Sequence, residues 1–234
     1  LRRWRDTRWP SRRADSAWYV FVLVLPYVTF SPPHHIVRTR AQGRLFGAET
    51  RAVNDREQMI RAITRGMLEA VAFLHDASVA HGALSMAVFR LSTFDDKEWQ
   101  RVQVKVDGLG VATYGRRMPA ALTSIFSGDF LERCRMDRQR LGLLIIELVV
   151  TSLSTPPTAS TGSAPSMDLA RLERVLTDVY GNDLEQFTAY LVEESAYDAA
   201  VEYMGASGVA EVVEVLLEGR MELTNVLCHS YFDE

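Results

Sequence analysis

Residues 74–91 decide the fold of this chain, and their sequence is Leu-His-Asp-Ala-Ser-Val-Ala-His-Gly-Ala-Leu-Ser-Met-Ala-Val-Phe-Arg-Leu. Apolar residues at spacings of three and four lead into this stretch and predict an amphipathic helix. We expect the helix to begin at Asn54, because Asn54 and Glu57 match a capping box, and to end near Asp76. The last residues of the stretch, 88–91, predict a strand. The apolar helix positions are Met59, Ile60, Ile63, Met67, Leu68, Val71 and Leu74.

Beyond this stretch the sequence predicts one more strand and then mostly helices. Residues 102–106, Val-Gln-Val-Lys-Val, predict a strand that the polar turn at 93–98 joins to the first strand in a β-hairpin. Residues 141–150 are apolar except for one Glu, and a helix that is apolar nearly all round belongs in the middle of a domain. Three further helices are predicted, at 168–180, 183–204 and 208–218, and the first of them has Leu169, Leu172, Val175, Leu176 and Val179 on one face. We also predict a flexible Ser/Thr/Pro loop at 151–166 and irregular structure at 36–53.

The composition is that of a globular protein with one core. The chain has 234 residues, of which 47% are hydrophobic and 24% charged, and both fractions are ordinary for a soluble domain. The apolar run at 18–30 is about thirteen residues long and contains Pro26, so no transmembrane segment is predicted. Cys134 and Cys228 suit neither a disulfide framework nor a metal site, and we expect two buried, unreactive thiols in a reducing compartment.

The loop in residues 81–88 resembles the catalytic loop of eukaryotic protein kinases, whose pattern is His-Arg-Asp-Leu-x-x-x-x-Asn. His81 and Leu84 keep the His and the Leu of that pattern. Ala83 stands where the family has its catalytic Asp, and Val88 stands where it has a metal-binding Asn. The resemblance therefore implies a loop without a carboxylate to accept the substrate proton and without an oxygen for Mg²⁺.

Two later motifs, in the right order, extend the resemblance to most of the chain. Asp137 and Gly142 match the Asp-x-x-x-x-Gly opening of the central helix of the kinase large lobe. In the family that Asp accepts hydrogen bonds from the catalytic-loop backbone near its His. Residues 220–232 are similar to the closing segment of the kinase domain, with Arg220 and His229 at its Arg and His.

The groups that hold nucleotide and metal in kinases are mostly missing. In the family, the strand that corresponds to residues 102–106 leads to the motif Asp-Phe-Gly. The simplest alignment places Gly108 at the position of its metal-binding Asp. A one-residue insertion would instead make Asp107 a metal ligand, which is a weak candidate. Lys97 and Lys105 are the two lysines of the chain. Both lie in the predicted hairpin, so neither can pair with phosphates, and no Gly-x-Gly-x-x-Gly is present.

The resemblance implies a mainly α fold with a small β-hairpin, namely a kinase-like large (C-terminal) lobe with the N-lobe largely absent. The first residue is not Met, so either a targeting peptide has been removed or the true start lies upstream. The expected organisation is a basic arm at 1–17, a remnant of the last N-lobe strand and hinge at 18–30, and the lobe at 31–234, in which 113–134 take the place of the activation segment.

The amino-terminal arm interleaves arginine with tryptophan. Such a segment could bind an anionic membrane surface, nucleic acid or an acidic protein groove, or be a loosely ordered basic terminus. We favour a protein groove, because tryptophan side chains favour burial and no nucleic-acid motif follows. The expected partner-binding residues are Arg2, Arg3, Trp4, Arg5, Arg8 and Trp9.

These observations predict a catalytically inactive kinase-like protein that binds neither a cofactor nor nucleic acid. We expect it to serve as a scaffolding or accessory subunit of a larger assembly, which could be membrane-associated. One alternative is a divergent active Ser/Thr kinase whose N-lobe is not included here. Another is a helical protein-interaction domain unrelated to kinases, which would lack the hairpin. The closing sequence His-x-Tyr-Phe-Asp also resembles the end of thylakoid kinases. Together with the Arg-rich start, it leads us to expect that the protein is located in a plastid.

Overall fold

The computed structural model describes residues 46–93, 95–114, 123–154 and 169–233. Within them the fold is mainly helical with a small antiparallel β component, as the sequence predicts. The helices are α1 (Phe46–Asp76), α2 (Thr123–Leu153), α3 (Leu169–Glu173), α4 (Leu184–Val192), α5 (Asp198–Ser207), α6 (Val209–Glu218) and α7 (Leu223–Val226). The strands are β1 (Val79–Ala80), β2 (Phe89–Leu91), β3 (Val104–Val106) and β4 (Thr113–Tyr114).

Helix α1 buries the predicted apolar face but begins earlier than predicted. Met59, Ile63 and Met67 are at most 1% exposed, so the three- and four-residue spacing placed the buried face correctly. The start at Asn54 is wrong, because the helix already begins at Phe46. Neither glycine nor proline follows Gly47 before that position, so nothing local stops the helix from extending upstream, and the capping-box pattern lies inside it.

Helix α2 is the central helix, and it is longer than predicted at both ends. It packs against α1, α3, α5 and α6, and residues 141–150 are all buried. Of residues 113–134, expected to take the place of the activation segment, those from Thr123 onward belong to α2, and buried Cys134 and Leu141 continue one apolar face upstream. The predicted loop at 151–166 is wrong for its first three residues, which belong to α2; its residues from 155 onward lie outside the described part of the chain.

The four short strands form two antiparallel pairs. The predicted hairpin is confirmed: β2 pairs with β3 in the register Phe89↔Val106, Arg90↔Lys105 and Leu91↔Val104. The connection contains a 3₁₀ segment, Asp96–Arg101, whose first turn the Asp95 side chain caps. Strand β1 pairs with β4. The loop at 81–88 thus runs from one pair of strands to the other.

The carboxyl-terminal helices follow the predicted order with two differences. After α3 the chain winds as a π-helix at Arg174–Val179, and the Tyr180 N–H donates to the Val175 carbonyl. This wider winding turns Val179 outward, where it is 65% exposed, so its predicted burial is wrong. The single helix predicted at 183–204 is divided into α4 and α5 by the 3₁₀ turn Ser195–Tyr197.

The closing segment packs onto α1. The hydroxyls of Tyr203 and Tyr231 lie 2.8 Å apart in a buried hydrogen bond, and burial raises the pKa of both phenols. The Arg61 guanidinium lies 5.2 Å from the centre of the Tyr231 ring, within cation–π range. No helix in the described part of the chain has the length and apolar content needed to span a bilayer.

Candidate functional site

The loop at 81–88 is fixed to α2 through one carboxylate. The His81 N–H donates to Asp137 Oδ2 at 2.7 Å, and the Gly82 N–H donates to Oδ1 at 2.8 Å. These are the hydrogen bonds that the sequence resemblance predicts. The accepting residue, Asp137, lies in the middle of α2 rather than in its first turn, because the helix begins at Thr123.

A third donor completes the surroundings of this carboxylate. His75, at the end of α1, places Nε2 3.1 Å from Asp137 Oδ2. Asp137 is 2% exposed, and a buried carboxylate is costly unless hydrogen bonds replace its lost water. Three donors from two segments meet this requirement, so Asp137 joins α1, the loop and α2 at one point. His75 lies in the stretch 74–91 on which the resemblance is based, but no role was predicted for it from the sequence.

The imidazole of His81 is engaged at both nitrogens. Nε2 lies 2.8 Å from the Asp107 carbonyl oxygen, which can only accept, so this nitrogen carries a proton. Nδ1 accepts from the Ala83 N–H at 3.3 Å. The ring is therefore the neutral tautomer with its hydrogen on Nε2, and it is fully buried. This geometry suits a ring that supports the loop, since neither nitrogen is free to act as a base or metal ligand.

The three positions that lack the family's catalytic and metal-binding groups lie around this histidine. Ala83 is exposed and Val88 is half-buried. Gly108 has a positive φ of +80°, and a Cβ atom built there would lie 3.2 Å from Val88 Cγ1 and 3.8 Å from His81 Nε2. A side chain at position 108 would therefore be strained by its backbone and crowded by Val88. Glycine at position 108 thus fits the presence of valine at 88.

The side chain of Asp107, the weak candidate for a metal ligand, forms an ion pair with an arginine of the same chain. Arg90 Nε donates to Asp107 Oδ2 at 2.8 Å, and the two side chains are 25% and 46% exposed. A metal ion at Asp107 would have to displace this guanidinium. Across the described ranges, no group of three or more His, Cys, Asp or Glu side chains is placed to hold a metal.

Three of the remaining predicted residues, Leu84, Gly142 and His229, make packing or backbone contacts within the described part of the chain, whereas Arg220 does not. Leu84 is buried, and its carbonyl accepts from Arg140 Nε at 3.3 Å. A Cβ at Gly142 would lie 3.2–3.3 Å from side chains of α6, so glycine permits the close approach of α2 and α6. His229 Nδ1 accepts from the Tyr231 N–H at 3.1 Å, and Arg220 is exposed.

The two thiols differ, which corrects the expectation that both are buried. Cys134 is 4% exposed, and burial raises the pKa of its thiol to about 11. Cys228 follows the end of α7 and is exposed, and its Sγ–H donates to the Thr224 carbonyl at 3.5 Å. The six Arg and Trp residues predicted to bind a partner, and the segment at 18–30, lie outside the described residues.

Comparison with known proteins identifies no relative: no protein-family model matches the chain, and no curated protein matches it.

Proposed function

We propose that this chain is a degenerate, kinase-like large lobe that does not transfer phosphate and that acts as a scaffolding or accessory subunit of a larger protein assembly. The observation that carries the proposal is the pair of hydrogen bonds from the loop backbone to Asp137. They fix a loop in which Ala83 occupies the place of the catalytic carboxylate. On this proposal, the loop keeps the backbone support of a catalytic loop without the side chain that would act.

Phosphoryl transfer depends on positioning and on charge neutralisation by metal ions and lysine. Ala83 offers no base, and Val88 and Gly108 offer no oxygen for a metal. The two lysines lie in the hairpin segment, Lys97 in its 3₁₀ turn and Lys105 in β3. Each missing group lowers the rate separately, and their joint absence supports an inactive protein.

The two alternatives differ in how well the contacts suit them. A divergent active kinase would need Asp107 as its metal ligand, and the ion pair with Arg90 counts against that role. An unrelated helical interaction domain would have no reason to contain the hairpin of β2 and β3, which is present. The kinase-like lobe accounts for the hairpin, the loop and the buried Asp137 together.

A phosphoryl-transfer assay tests the absence of activity. The chain and the double variant Ala83→Asp/Val88→Asn are incubated with radiolabelled ATP, Mg²⁺ and a general acceptor such as casein. We expect no incorporation above background from either protein, because Gly108 still lacks a carboxylate and no lysine reaches the phosphates. Incorporation by the chain itself would refute the proposal, and incorporation by the double variant would show that two substitutions alone account for the loss.

The accessory role is tested by the size of the particle that contains the chain. The chain alone has a mass of 26.4 kDa. We expect the protein in native extract, crosslinked before lysis, to elute at a much larger mass with a constant set of partners. Elution as a free monomer would contradict the accessory role without affecting the result on phosphoryl transfer.

A further inference from the structure

The loop at 81–88 has a second anchor on α2, about one turn beyond Asp137. Arg140 Nε donates to the Leu84 carbonyl oxygen at 3.3 Å. Asp137 accepts from two N–H groups at the start of the loop, and residues three apart lie on the same face of a helix. This face of α2 therefore offers an acceptor to the start of the loop and a donor to its middle.

The guanidinium of Arg140 also reaches α3. Its Nη1 donates to Glu173 Oε2 at 2.5 Å, and the Arg140 and Glu173 side chains are 30% and 46% exposed. Nε and Nη1 belong to one planar group, so the carboxylate that binds Nη1 also fixes the direction in which Nε points. Glu173 thus orients the group that holds the loop, although its own hydrogen bond is to Arg140 and not to the loop.

Helix α3 is shorter and less regular than α2. It has five residues, Leu169–Glu173, and the π-helix at Arg174–Val179 follows it directly. Turns of π-helix are rare and frequently lie at functional sites, and this one leaves Val179 65% exposed. Helix α2 has 31 residues, and residues 141–150 are all buried. We therefore expect α3 to move more readily than α2, since local opening begins where fewer buried contacts hold an element.

We propose that Arg140 and Glu173 form a latch that couples the conformation of the loop at 81–88 to the position of α3. In the closed state, which is the conformation described above, Glu173 holds the guanidinium against the Leu84 carbonyl. In the open state α3 moves away, Arg140 loses its carboxylate partner, and the middle of the loop is released while Asp137 keeps its start. A partner that displaces α3 would thereby change the surface that the loop presents. The latch needs only these contacts, so it is tested separately from the absence of phosphoryl transfer.

Hydrogen exchange at single amides, measured by NMR on the full chain, tests the latch. The Ala83 and Val88 amides form hydrogen bonds within the loop, so their exchange reports opening of its middle. The His81 and Gly82 amides donate to Asp137 and report its start. Because exchange at each amide follows the local opening equilibrium, a release of the middle alone is distinguishable from unfolding of the whole chain.

Glu173→Gln is the decisive variant, because it removes the charge of a side chain that is not bonded to the loop. We expect exchange at Ala83 and Val88 to become about three- to fivefold faster, which is the size of effect that a partly exposed ion pair supplies. The two amides that report the start of the loop should change less than about 1.5-fold. Glu132→Gln is the matched control: Glu132 is 52% exposed and pairs with Arg135 of α2 at 2.6 Å, and its neutralisation should leave all four amides unchanged.

Arg140→Lys separates the ion pair from the hydrogen bond to the loop. Lysine keeps a positive charge for Glu173 but lacks the planar fork that donates in two fixed directions. We expect the loop amides in this variant to exchange as fast as in Arg140→Ala, whereas amides of the π-helix should keep their protection in the lysine variant alone. Raising KCl from about 0.05 M to about 0.5 M should speed loop exchange in the unaltered chain and not in Arg140→Ala, since salt screens the ion pair.

Three outcomes would overturn the latch. Loop exchange could be unchanged in Glu173→Gln, which would mean that Glu173 does not orient Arg140. It could rise equally in Glu132→Gln, which would assign the effect to a general loss of charge. Exchange could also rise in proportion at every amide, including those that donate to Asp137, which would mean a global loss of stability. Circular dichroism and Tm confirm that each variant is folded.

Discussion

Removal of the Asp137 carboxylate leaves two backbone N–H groups without an acceptor, the buried amide of His81 and the part-buried amide of Gly82, because both donate to it. We expect Asp137→Ala to lower the free energy of unfolding by about 2–3 kcal/mol, measured by urea denaturation. Asp129→Ala is the matched control on the same helix, since the Asp129 side chain is 60% exposed and pairs with the exposed Arg133 side chain. It should cost less than about 1 kcal/mol. Equal effects would show that Asp137 does not hold the loop.

The two cysteines provide a second test on single residues. A thiol reacts as its thiolate, and burial raises the pKa of Cys134 to about 11, so at pH 8 this thiol is protonated as well as inaccessible. Cys228 is exposed. We expect a disulfide reagent such as Ellman's reagent to label one thiol per folded chain at pH 8 and two in denaturant. Cys228→Ser should remove the labelling of the folded protein, and rapid labelling of both thiols in the native state would contradict the burial of Cys134.

The sequence could predict some of these contacts and not others. The hydrogen bonds between Asp137 and the loop were expected because the resemblance to protein kinases implies them. The ion pair of Arg90 with Asp107 was not predicted, because it depends on the register that places Arg90 opposite Lys105. Strand register is set by the packing of the whole hairpin rather than by the residues of one strand. Likewise, nothing in the spacing of His75 indicated that its ring would reach Asp137.

Helix α1 and the hairpin approach each other at one glycine. A Cβ at Gly66 would lie 2.5 Å from Val104 Cγ2 and 2.7 Å from Val104 Cβ, and rotation of the valine cannot move its Cβ. Overpacking of this kind costs about 1–3 kcal/mol, which exceeds the roughly 1 kcal/mol that alanine gains over glycine in a helix. We therefore expect Gly66→Ala to lower the stability by about 1–2 kcal/mol and to lower Tm.

Gly205 provides the matched control for this substitution. It lies within helix α5, and a Cβ there would meet no atom within 4 Å. Gly205→Ala should therefore raise the stability by about 0.5–1 kcal/mol. Opposite signs at the two positions would confirm the close approach of α1 to β3. A gain in stability at Gly66 would mean that the helix and the strand are further apart.

At the scale of elements, the sequence predicted which elements exist better than where they end. The buried face of α1 and the hairpin strands follow from local periodicity, which is repeated several times along each element. The early starts of α1 and α2 depend on helix propagation, which adds residues to an existing helix and here passes through the single glycines Gly66 and Gly142. The π-helical turn after α3 changes the periodicity itself, so a pattern based on 3.6 residues per turn placed Val179 on the wrong side.

At the scale of the molecule, α2 connects the loop to the carboxyl-terminal helices. Its middle carries Asp137, which holds the loop, and its continuation packs against α6 at Gly142.

Thermal unfolding with and without Mg·ATP tests whether this core still forms a nucleotide site. A ligand at a hundred times its Kd adds about 2.7 kcal/mol to the stability of the protein it binds, which corresponds to a rise in Tm of about 5–10 °C for a chain of this size. We expect no rise at millimolar Mg·ATP, because Gly108 has no carboxylate and Arg90 occupies the Asp107 carboxylate.

The variant Arg90→Ala separates the two causes of this expected failure. This substitution frees the Asp107 carboxylate, while Gly108 keeps its positive φ and its close approach to Val88. A rise in Tm for this variant alone would therefore show that the Arg90–Asp107 ion pair excludes the metal. Mg²⁺ without nucleotide and ATP with EDTA are the controls for binding of either component by itself. A rise of several degrees for the unaltered chain would contradict the prediction. It would require a metal-nucleotide site that forms while Arg90 is paired with Asp107, and the function of the chain as a partner would then depend on nucleotide.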